Sequence, residues 1–216
     1  MSRKFNPEQY KVKLIPNNRA IELIVKHHYT HKCPSIKYSF GMFYGHRLVG
    51  ACTYGTTFKN NVKGICGDEY ADNVLELTRL VLLDFVEHNA ESWFISKTLT
   101  YLRQHTDTKI LISYADSAFG HNGTIYQATN WIYSGKSVHN HYRLEDGTIV
   151  HSRSTYDHKK GETMQDFWDK HPNAISVKSK PKFRYVYLLG KNRQEKRELK
   201  SKYMWADLPY PKEREL

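Results

Sequence analysis

With 216 residues the chain fits a single domain with its own core, and its formal net charge of +11 fits a polyanionic partner, nucleic acid above all. No apolar run approaches the roughly 18 residues that span a bilayer, and the start, Met1-Ser2-Arg3-Lys4-Phe5-Asn6-Pro7, lacks the apolar stretch of a secretory signal; the expected setting is the cytoplasm, with no membrane partner. Cys33, Cys52 and Cys66 are odd in number and include no C-x-x-C pair, which argues against a disulfide framework and a zinc ribbon.

Val12 to Ile15 alternates briefly before Pro16 and predicts a strand, and Arg19 to His28, with Ala20, Ile21, Ile24 and Val25 at helical spacing, predicts a helix. Lys37 to Tyr44 and Arg47 to Tyr54 are β-rich runs around Gly45-His46, the pattern of a hairpin. Residues 55–72 form a long polar connection with Asn60-Asn61 and Gly64, expected to be mobile rather than packed. Val74 to Leu82 predicts a long strand, and Asn89 reads as the N-cap of a helix to about Arg103, with Phe94, Ile95, Thr98, Leu99 and Leu102 on one stripe. Lys109 to Ala115, apolar on both faces at Ile110-Leu111-Ile112, predicts a central strand covered on each side. Gly120-His121-Asn122-Gly123 is a turn before a short helix, Thr124 to Asn130, and strands are expected at Trp131 to Val138, Thr148 to Arg153 and Lys180 to Leu189. This order is a mixed α/β layout, a central sheet with helices on both faces, and it resembles the GNAT acetyltransferase fold. Residues 1–190 read as the catalytic domain and residues 191–216 as a basic C-terminal extension, helical or disordered.

In open α/β sheets, ligands bind beyond the carboxyl ends of the central strands. Asn89-Ala90-Glu91-Ser92 opens a helix after one such strand: either its free amides hold a phosphate or an oxyanion, or Asn89 only caps and Glu91 only offsets the helix dipole. Asp116, at the mouth of the other strand, is a general base or only a cap for the next loop. His121 fits a proton carrier, and Tyr126 is a proton donor or a packed ring. Arg79, on the face assigned to Leu75, Leu77 and Val81, needs a carboxylate or phosphate to offset its desolvation, Glu91 and Asp116 being candidate partners. The run His27-His28-Tyr29-Thr30-His31-Lys32-Cys33 offers His27, His28 and His31 as metal ligands or as a histidine-rich helix end, without the spacing of a known zinc motif.

Six blocks then occur in order: Lys26-His27-His28-Tyr29; Phe40-Gly41-Met42-Phe43 with Leu48-Val49-Gly50; Glu76-Leu77-Thr78-Arg79-Leu80; Asn89-Ala90-Glu91-Ser92; Ser113-Tyr114-Ala115-Asp116; and Gly123-Thr124-Ile125-Tyr126-Gln127-Ala128-Thr129-Asn130-Trp131. Together, from about Lys26 to Arg153, they resemble the Mom family of bacteriophage DNA-modification proteins. The resemblance implies a GNAT-like transferase that converts N6 of adenine in double-stranded DNA to a carbamoylmethyl derivative, shielding phage DNA from restriction in the host cytoplasm. It implies His28, Tyr29, Arg79, Glu91, Ser92, Asp116 and Tyr126 as the site, and an iron requirement for which His27, His28 and His31 are the only sequence support. Tyr29, Tyr114 and Trp131 would clamp an extruded adenine, while Lys180, Lys182, Arg184, Lys191, Arg193, Lys196, Arg197, Lys200 and Lys202 hold phosphates.

GNAT enzymes that use acyl-coenzyme A carry a glycine-rich loop after the strand that here ends near Leu82. Leu83-Asp84-Phe85-Val86-Glu87-His88-Asn89-Ala90 has no glycine, so a coenzyme A thioester is not the expected donor and the donor stays open. Two other readings fit the charge. One is an acyl- or aminoacyl-transferase on another amine, with aminoacyl-tRNA as donor. The other is a non-catalytic nucleic-acid-binding protein, in which Asp116, His121 and Tyr126 need not share a site.

Overall fold

The computed structural model describes residues 4–57, 59–152, 155–157 and 160–212, so Arg153, the expected end of one strand, lies outside it. β1 (Tyr10–Leu14) leads into α1 (Asn17–His27), and β2 (Tyr38–Tyr44) and β3 (Arg47–Thr56) form the expected hairpin, turning at Gly45 with φ 57°. β4 (Val74–Leu82), α2 (Ala90–His105), β5 (Ile110–Asp116), α3 (Thr124–Gln127) and β6 (Ile132–Ser137) follow. Then come β7 (Asn140–Arg143), β8 (Ile149–His151), α4 (Met164–Lys170), β9 (Ile175–Lys178), β10 (Lys182–Leu188) and α5 (Arg193–Lys202). The main sheet has the order β1-β2-β3-β4-β5-β10-β6, and a small sheet, β8-β7-β9, is carried between β6 and β10. Only the β4–β5 pair of the main sheet is parallel. The mixed central sheet with helices on both faces is as expected.

Alternation along β5 explains its all-apolar run. Leu111 faces the core built by Phe94, Ile95, Leu99 and Leu102 of α2, whereas Ile110 and Ile112 face the opposite core, which includes Leu199 of α5. α1 packs Ala20 and Ile24 on Phe43, Ala51 and Val81. Two sequence expectations need correction here. Residues 59–73 are packed, because Val62, Ile65 and Cys66 are buried against Val74, Ile110 and Ile112, covering a face that would otherwise meet water. The described part of residues 191–216 is built into the fold rather than appended: Leu199 is fully buried, and the Tyr210 hydroxyl donates to the Trp131 carbonyl at 2.9 Å. Among the described residues no helix is long and apolar enough to cross a membrane.

One feature of this sheet sets the site. β4 and β5 pair only from Val74–Ile110 to Glu76–Ile112, after which the strands part. Beyond that point β5 keeps β10 on its other side as far as Asp116 opposite Lys182, so the gap opens on one flank only.

Candidate active site

A cleft of about 1190 Å³ occupies this opening. Its lining includes His27 at the end of α1, His28 and Tyr29 after it, Arg79 of β4, Glu91 of α2, Asp116 of β5, His121 of the next loop, Tyr126 of α3 and Lys182 of β10. Asp116, His121 and Tyr126 therefore share one site. Ser92 and His31 are not among its lining; the Ser92 hydroxyl donates to the Asn89 carbonyl at 3.0 Å within its own helix start.

Ser113 bridges the strands where their pairing ends. Its Oγ is hydrogen-bonded to the Leu77 carbonyl at 2.9 Å and to the Tyr126 hydroxyl at 2.7 Å. A serine hydroxyl has one proton and a carbonyl can only accept, so that proton goes to Leu77 and Tyr126 donates its own to Ser113. Tyr126 is buried, and burial raises its pKa, so the phenol holds its proton at neutral pH. α3 is held in place by Gly123, whose φ of 85° and approach to the Tyr185 ring leave no room for a Cβ, which would lie 2.2 Å from that ring.

Asp116 does what the structural reading of it requires: its Oδ1 accepts from the Ala118 N–H at 3.0 Å, and Oδ2 pairs with Lys182 Nζ at 2.9 Å. A carboxylate has about four acceptor sites, so capacity remains on both oxygens.

Arg79 has no carboxylate partner among the described residues. Its Nε donates to the Lys32 carbonyl at 2.9 Å and Nη1 to the Thr78 carbonyl at 2.6 Å. The expected Glu91 or Asp116 ion pair is thus corrected, and so is the face. Thr53 pairs with Arg79 and Tyr54 with Leu77, a bulge that breaks alternation and sends Leu75 and Leu77 to one core and Val81 to the other. The guanidinium ties the loop of residues 28–33 to β4 and so fixes one wall of the cleft.

That wall is aromatic. His28 stacks on Tyr29 at 4.2 Å, and Tyr29 meets Phe119 at 4.2 Å and His121 at 5.3 Å, joining the loop after α1 to the loop after β5. His28 Nδ1 accepts from the Thr30 N–H at 3.2 Å, which requires the tautomer protonated on Nε2. Burial, and next the positive charge of Arg79, lower the His28 pKa from 6.5 to about 4, so the ring is neutral at physiological pH. The unfolded chain binds this proton near pH 6.5 and the folded chain only near 4, so His28 subtracts stability progressively as pH falls through that interval. His28→Gln is expected to lose less stability than the wild type between pH 7 and about 4.5 in urea unfolding; equal losses would show that His28 does not titrate this way.

The His27, His28 and His31 metal site is not formed. His28 Nδ1 is engaged with Thr30, and His31 Nδ1 lies 2.9 Å from the Val25 carbonyl. Among the described residues no three His, Cys, Asp or Glu side chains are grouped to hold a metal ion, so the iron implied by resemblance has no fitting ligand set there. Other expectations also change. Asn89 is not a side-chain N-cap but sits in the left-handed region at φ 72°. Trp131 is fully buried against Tyr126 and Tyr187 and cannot clamp a base. Arg184 stacks on Trp205 at 3.9 Å and donates to the Ser134 carbonyl, so it is structural rather than phosphate-facing.

In the loop after β4 the Val86 and Ala90 amides donate to the Leu83 and Glu87 carbonyls, and the Glu87 carboxylate accepts from the Tyr10 hydroxyl at 2.6 Å. Glu76, Thr57, His139 and His151 also line the cleft and were not singled out from sequence. Glu76 carried the same signal as Arg79, a charge within an apolar strand. Thr57 Oγ1 is buried and has no hydrogen-bond partner among the described residues.

Comparison with known proteins gives the following. The family model described as the Mom protein family matches residues 9–212. The chain is 26% identical over 211 residues to the methylcarbamoylase Mom of Escherichia phage Mu, covering 96% of this chain and 86% of that protein. Among solved structures it is similar to an acetyltransferase of the GNAT family from Streptococcus pneumoniae, at 9% identity and TM-score 0.48, covering 84% of this chain and 99% of that one. An N-acetyltransferase from Staphylococcus aureus is similar at 12% identity and TM-score 0.47, covering 83% of this chain and 97% of that one.

Proposed function

Because the chain belongs to the Mom protein family, we propose that its cleft transfers a group to the N6 amine of adenine in double-stranded DNA, leaving a carbamoylmethyl derivative. The observation that carries this reading is the convergence of Asp116, Tyr126, His28, Tyr29 and Arg79 on the opening between β4 and β5. Adenine N6 is a weak nucleophile because its lone pair is delocalised into the ring, so its proton must leave as the new bond forms. Asp116, with unused acceptor sites, takes that proton, and Lys182 holds the carboxylate in place. The Nε2–H of neutral His28 is the donor left for developing negative charge, and Tyr126 serves there only by turning its proton from Ser113 to the reacting group.

The adenine must leave the base stack, at a cost of a few kcal/mol. Tyr29, which lines the cleft and is 38% exposed, is braced between His28 and Phe119 and gives the extruded base an aromatic contact. The donor in this reading is not a coenzyme A thioester, because the loop of residues 83–90 has no glycine to let its backbone approach a pyrophosphate. The protein acts in the host cytoplasm and shields the DNA from restriction. Mass analysis of nucleosides from DNA of cells expressing the protein should reveal deoxyadenosine carrying a carbamoylmethyl group; only unmodified nucleosides would reject the reading.

A further inference from the structure

The cations assigned to phosphate from sequence fall into two sets in the structure. Lys191 pairs with Asp107, Lys202 with Glu69 and Glu198, and Lys182 with Asp116, so much of their charge is already met within the fold. α5 separates the rest by face. Arg193, Lys196, Arg197 and Lys200 stand at i, i+3, i+4 and i+7, one stripe, while Glu195 turns to Lys109 and Glu198 to Tyr70. The stripe borders a groove of about 390 Å³ lined also by Asn130, Ile132, Tyr187 and Leu188, with no carboxylate among its lining residues. Lys200 meets Asp207 at 2.6 Å and Lys196 lies over the Tyr187 ring at 5.4 Å, whereas Arg193 and Arg197 are exposed and in no ion pair among the described residues.

β10 measures how far this groove lies from the cleft. Lys182, opposite Asp116, marks the cleft end, and Leu188, in the groove, marks the other. Six steps at about 3.3 Å make roughly 20 Å, close to six base-pair steps of about 3.4 Å each. We propose that the Arg193/Arg197 stripe of α5 is a second contact for the same duplex DNA, gripping backbone phosphates about six base pairs from the adenine held in the cleft. The inference rests on the reading of the cleft as acting on DNA. Two unpaired guanidiniums in a groove free of carboxylates favour a phosphate backbone, which each can bind in bidentate fashion.

The experiment measures affinity against salt concentration for Arg193→Gln/Arg197→Gln and for wild type, on an adenine-centred duplex of about 24 base pairs and one of about 8. The short duplex extends only about 14 Å from its centre and cannot reach the groove. On the long duplex the variant should lower the slope of log affinity against log salt by about 2 and on the short one leave it unchanged. Arg193→Lys/Arg197→Lys should restore the slope. Equal slopes for wild type and the Gln variant on the long duplex would overturn the proposal, as would a loss seen equally on the short duplex or only with a structured RNA in place of the DNA. Unmodified nucleosides from wild-type cells would instead count against the reading of the cleft, whatever the slopes.

Discussion

Asp116→Asn is expected to lower the yield of modified deoxyadenosine by about 10²–10⁴-fold, the usual contribution of a positioned proton acceptor, while the protein still folds. Asparagine keeps an oxygen for the Ala118 N–H and loses only the charge that meets Lys182. Asp116 is buried but the Lys182 side chain is 39% exposed, so the cation left behind stays hydrated; the loss should be about 1 kcal/mol, a fall of about 2–4 °C in melting temperature. Lys182→Gln supplies the control: it removes the same ion pair and leaves the carboxylate, so its activity should fall far less. If the two variants lose activity equally, the loss of the ion pair accounts for the whole effect and the Asp116→Asn result no longer supports a base. If Asp116→Asn retains wild-type levels of modified base, Asp116 is only the cap that its contact with Ala118 makes it.

How far the sequence led can be judged residue by residue. Periodicity located the long elements, since a 16-residue amphipathic helix such as α2 and an all-apolar strand such as β5 are governed by local pattern and by burial on one or two faces. It placed Asp116 and Tyr126 correctly at a strand mouth and a following helix, because strand and helix ends fix position along the chain. What it missed depended on pairing. Arg79 was assigned the face of Val81, and only the register shift opposite Thr78 shows why that fails. Residues 59–73 look polar in sequence, yet Val62, Ile65 and Cys66 suffice to bind them to a sheet face that needs cover. The cations after Gly190 look uniform until α5 sorts them into those facing acids of the body and those facing outward. Likewise three histidines within five positions suggested a metal site, but the chain turns between them, and the Nδ1 atoms of His28 and His31 meet Thr30 and the Val25 carbonyl instead.

Tyr126 and Ser113 give the second large effect, and the pair separates chemistry from architecture. Tyr126→Phe removes a hydroxyl that donates to Ser113 and leaves Ser113 bonded to the Leu77 carbonyl, so stability should fall by only about 0.5–1.5 kcal/mol, the net value of one hydrogen bond. Ser113→Ala strips the partner from a buried phenol and from the Leu77 carbonyl together. Each orphaned group costs about 1–3 kcal/mol, so this variant should be the less stable of the two. If Tyr126 delivers a proton during transfer, the order for activity is the reverse: Tyr126→Phe should lose about 10²-fold or more, whereas Ser113→Ala keeps the phenol and loses less. Urea unfolding gives the first order, and modified deoxyadenosine per total deoxyadenosine in co-expressed plasmid DNA gives the second. If activity merely follows stability, with Ser113→Ala the weaker enzyme and Tyr126→Phe near wild type, Tyr126 is a packing residue that closes the β4–β5 gap through Ser113, and the proton donor must be sought at His28 or His121.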